Sequence, residues 1–115
     1  MSLLEIFYEL KTTWRNKLLE DEWFFYNFRK MFISKLDSRE CMDAIDFVIG
    51  IILSEKDNSY VNELIDLLFD LIRKTDTTEI PAELKNNISN LNIKFLQNDY
   101  QKKIWDEIKR YYIID

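Results

Sequence analysis

Histidine is missing from this 115-residue chain, and cysteine, glycine and proline occur once each. Without histidine there is no Ser/His/Asp or Cys/His nucleophile set, no zinc site of the usual ligand types, and no Glu-x-x-His signature of di-iron bundles. A lone cysteine forms no disulfide within the chain, and a lone glycine leaves no phosphate-cradling loop. All-β domains need turn residues every ten positions or so, and the near-absence of Gly and Pro therefore points to an all-α fold. The longest apolar run, FVIGIIL at 47–53, is far shorter than the roughly 20 residues that cross a bilayer. The opening stretch MSLLEIFYELK lacks the basic segment and small-residue cleavage site of a secretory signal. Together these absences predict a cytoplasmic, non-membrane protein that is not an enzyme and uses no cofactor or metal.

What is present is a core. Hydrophobic residues make up 47% of the chain and aromatics 15%, enough for a single helical domain spanning residues 1–115. Apolar periodicity predicts six helices. Leu3, Phe7, Leu10 and Trp14 mark the first; Trp23, Phe24, Phe28, Met31, Phe32 and Leu36 mark the second, with Asp21 as a cap. Asp37 and Glu40 have the spacing of a capping box opening a third helix that runs to about Ser54. A fourth covers about 60–74. The single proline, Pro81, suits the first position of a fifth helix, striped by Leu84, Ile88, Leu91 and Phe95. Asn98 with Gln101 predicts the cap of a sixth, striped by Tyr100, Ile104, Ile108 and Tyr111. Taken in pairs, these make three antiparallel hairpins at about 3–36, 38–74 and 81–113, each of roughly 33 to 37 residues, close to the spacing of a short HEAT-like α-solenoid. Both helices of the middle pair are apolar around most of their circumference, as a flanked repeat should be.

Charge is unevenly spread. Residues 1–36 hold five acidic and six basic side chains, residues 37–70 nine and two, and residues 71–115 seven and eight. The net charge of −5 therefore arises in the middle hairpin. There, Asp43, Asp46 and Gly50 share one helical line, and Glu63, Asp66 and Asp70 share another. Each set has the spacing i, i+3, i+7, which keeps it within about 60° of one helix face. Like charges so placed repel, so two ridges of carboxylates on exposed lines suit a basic partner, with Asn62 at the rim and Gly50 permitting close approach. The same carboxylates also serve as a plain solvated face, and Gly50 also suits close helix packing. Cys41 falls on the wheel with Ile45, Val48 and Ile52 and belongs to the core. Lys102, Lys103, Lys109 and Arg110 lie near Trp105 and Tyr111, but overall acidity argues against nucleic acid as a partner.

The segment 41–88, CMDAIDFVIGIILSEKDNSYVNELIDLLFDLIRKTDTTEIPAELKNNI, resembles small helical immunity proteins of bacterial polymorphic-toxin systems, the group called immunity protein 30. AIDF at 44–47, ELIDLL at 63–68 and above all RKTDTTEIP at 73–81 carry the resemblance, which covers under half of the chain. It implies a protein that binds and neutralises a cognate protein toxin, with no chemistry of its own; the expected state is a monomer or weak dimer. A nuclease with a basic cleft is one class of toxin that an acidic surface would fit. The alternative is a HEAT-like adaptor that holds components of an assembly together.

Overall fold

The structure, a computed structural model, describes residues 2–114. Helices are its only regular elements among those residues: α1 Leu3–Glu20, α2 Phe24–Ser34, α3 Ser38–Ser54, α4 Asn58–Thr75, α5 Ala82–Asn86, α6 Ile88–Leu96 and α7 Asp99–Tyr112. The chain divides into two compact units, residues 1–35 and 36–115, so the break falls where the first expected hairpin ends.

In the first unit, α1 starts in a capping box made by Ser2 and Glu5 and buries Phe7, Leu10 and Trp14. Asp21 accepts the Trp23 N–H at 3.0 Å, so it holds the turn before α2 without being the residue that flanks the helix. The aromatic face of α2 is less covered than its spacing predicts. Phe25 and Phe32 are buried, Phe24 and Phe28 are half-buried, and Trp23 and Met31 are 59% and 62% exposed. Phe24, Phe28 and Phe32, one turn apart, form a stacked ladder, and Phe7 packs edge-on against Phe28 and Phe32.

The second unit is built on α3 and α4. The predicted box is present: Glu40 N–H donates to Asp37 Oδ1 at 2.8 Å and Asp37 N–H to Glu40 Oε1 at 3.0 Å. Asp57 caps α4, whose last turn ends on Asp76 in the left-handed region at φ 52°. Cys41, Ala44, Ile45, Val48, Ile49 and Ile52 of α3 and Leu64, Ile65, Leu68, Leu71 and Ile72 of α4 are fully buried or nearly so. Both helices are therefore apolar over a wide arc because both are covered on more than one side: α5 and α6 pack on α3, and α7 packs on α4.

Three expectations are corrected here. There are seven helices among the described residues, because the expected fifth helix breaks at Asn87. The Asn87 side chain donates to the Glu83 carbonyl at 2.7 Å, taking the acceptor its own N–H would use in an unbroken helix. That N–H bonds Leu84 O instead, at 3.2 Å, with the backbone at φ −122°. Pro81 precedes the helix as its flanking residue, with ψ 146°, and Ala82 is the first helical position. The stripe of the last helix is rotated by one residue: Gln101, Trp105, Ile108 and Tyr112 are buried, whereas Tyr100 is 44% exposed. Trp105 sets that rotation, since its ring lies 5.5 Å from Phe95 and its indole N–H donates to Asn92 of α6 at 2.7 Å.

Candidate functional site

The line along α3 meets the start of α5. Pro81 has no side chain able to cap a helix, so the first N–H groups of α5 need an acceptor from elsewhere. Asp46 supplies it, accepting the Glu83 N–H at 3.0 Å across 37 residues of sequence. Its carboxyl is half-buried, and burial is the main cause that pushes its pKa above the usual aspartate value of 3.8. The Glu83 N–H pulls it down and the Glu83 and Asp43 carboxylates push it up. Asp43 and Gly50, the other members of the line, are exposed. A Cβ built on Gly50 would meet nothing within 4 Å, so no neighbouring helix requires a glycine there.

Along α4 the partners come from α7. Asp66 accepts the Tyr100 hydroxyl at 2.6 Å. Asn62 accepts from the Gln101 side chain at 2.9 Å, and the same Gln101 amide reaches Asn58 Oδ1 at 3.3 Å. Gln101 is fully buried, so these bonds carry real cost if broken. Asp70 stands 3.8 Å from Arg73 on the same helix. Asn62, Glu63, Asp66 and Asp70 are all half-buried. The two expected ridges are thus not free-standing exposed lines. At Asp46, Asn62 and Asp66 they are polar seams along which the C-terminal helices attach to the middle hairpin.

Much of the remaining acidity of residues 37–70 lies at helix ends. Asp37 and Glu40 form the α3 capping box, Asp57 caps α4, and Glu55 accepts the N–H groups of Lys56 and Asp57, each at 3.0 Å. Asp37, Glu40 and Asp57 answer the positive ends of helix dipoles and unsatisfied N–H groups, whereas Glu55, at the end of α3, holds the turn into α4. Asp43 and Gly50 of α3 are exposed, and Glu63 and Asp70 of α4 are part-exposed. Tyr100, hydrogen-bonded to Asp66 and exposed, adds an aromatic edge that the expected stripe had turned inward.

Cys41 is fully buried, and burial pushes its thiol above the ordinary range. That leaves it as a core side chain, not a thiolate. Among the described residues no group of three or more His, Cys, Asp or Glu side chains is placed to hold a metal ion, and no helix is long and apolar enough to cross a membrane. No protein-family model, curated protein or solved structure matches this chain.

Proposed function

We propose that this chain is a non-catalytic binding protein of the immunity type, which neutralises a cognate toxin domain by laying the acidic side of its α3–α4 hairpin on a basic surface. The observation that carries the reading is the concentration of negative charge: nine acids against two bases over residues 37–70, in a chain whose flanking parts are nearly balanced. The capping carboxylates sit on the same hairpin, so the whole hairpin contributes to a long-range field. Asp43, Glu63 and Asp70 are the short-range contacts, and Gly50 allows a partner's backbone to come close. Asp46, Asn62 and Asp66 act one step back, by fixing α5 and α7 beside that surface. Association with a basic cleft would be steered and strongly dependent on salt.

The α3–α7 unit reads, on this proposal, as a short HEAT-like stack in which the C-terminal helices form the outer repeat. The attachment of α5 to α3 and α7 to α4 also supports the second reading, an adaptor that binds through its helical faces. The product of a toxin-sized reading frame beside the gene separates the two. Its association rate with the wild-type chain should fall as salt is raised, and the triple variant Asp43→Asn, Glu63→Gln, Asp70→Asn should associate about tenfold more slowly at low salt. An unchanged rate in that variant removes the acidic surface from the mechanism, and no association at all favours the adaptor.

A further inference from the structure

We draw no further inference here: the strongest candidate, the apolar surface patch that Ile93 and Leu96 form on the exposed side of α6, at 69% and 65% exposure, carries nothing because nothing in the structure shows what covers it.

Discussion

An asparagine at position 46 would keep the shape of the aspartate and still accept the Glu83 N–H, but it would carry no charge into a half-buried site. Because burial raises the Asp46 pKa, the folded chain holds that proton more tightly than the unfolded chain. The stabilisation this gives is full below the ordinary aspartate value of 3.8 and is lost as pH rises through the raised value. Asp46→Asn should therefore be at least as stable as wild type at neutral pH and should lack that component of the acid-range slope. Asp46→Ala, which removes the cap, should cost about 1 kcal/mol by chemical denaturation. If the alanine and asparagine variants unfold alike, the bond to α5 contributes nothing. Gly50 gives a second test at this scale. With open space where a Cβ would stand, Gly50→Ala should raise stability by about 0.5–1 kcal/mol, while a partner that needs close backbone approach should bind it more weakly.

At the scale of elements, the attachment of α7 to α4 depends on side chains that read in sequence as surface or capping residues. Tyr100→Phe removes the bond to Asp66 and should cost about 1 kcal/mol, measured by thermal or urea unfolding. Helix existence was legible from periodicity, and the ends of α3 and α4 from the Asp37/Glu40 box and the short polar turn after Ser54. The break at Asn87 was not, because it comes from one side chain competing for a carbonyl, which leaves the apolar stripe Leu84, Leu91, Phe95 intact on both sides. Nor was the rotation of α7. Gln101 looked like half of a capping box with Asn98; Asn98 does accept the Gln101 N–H at 3.0 Å, but the Gln101 side chain turns inward to Asn58 and Asn62. A carboxylate line i, i+3, i+7 identifies a helix face, and nothing in that spacing distinguishes a solvated face from a polar seam under another helix. That is why Asp43 stands exposed on it while Asp46 and Asp66 serve α5 and α7.

For the molecule as a whole, the account holds that negative charge gathered on one hairpin makes a binding surface, and that the same hairpin anchors the helices beside it. Neutralising Asp43, Glu63 and Asp70 leaves Asp46, Asp66 and Asn62 to hold Glu83, Tyr100 and Gln101, and circular dichroism of the triple variant checks that the fold is kept. The measurement closest to this claim is growth of a bacterial host expressing the product of whatever toxin-sized reading frame is found beside the gene, with the wild-type chain or with the Asp43→Asn, Glu63→Gln, Asp70→Asn variant supplied in trans. The account predicts rescue by the wild type and loss of rescue by a folded variant. Equal rescue by both would contradict it.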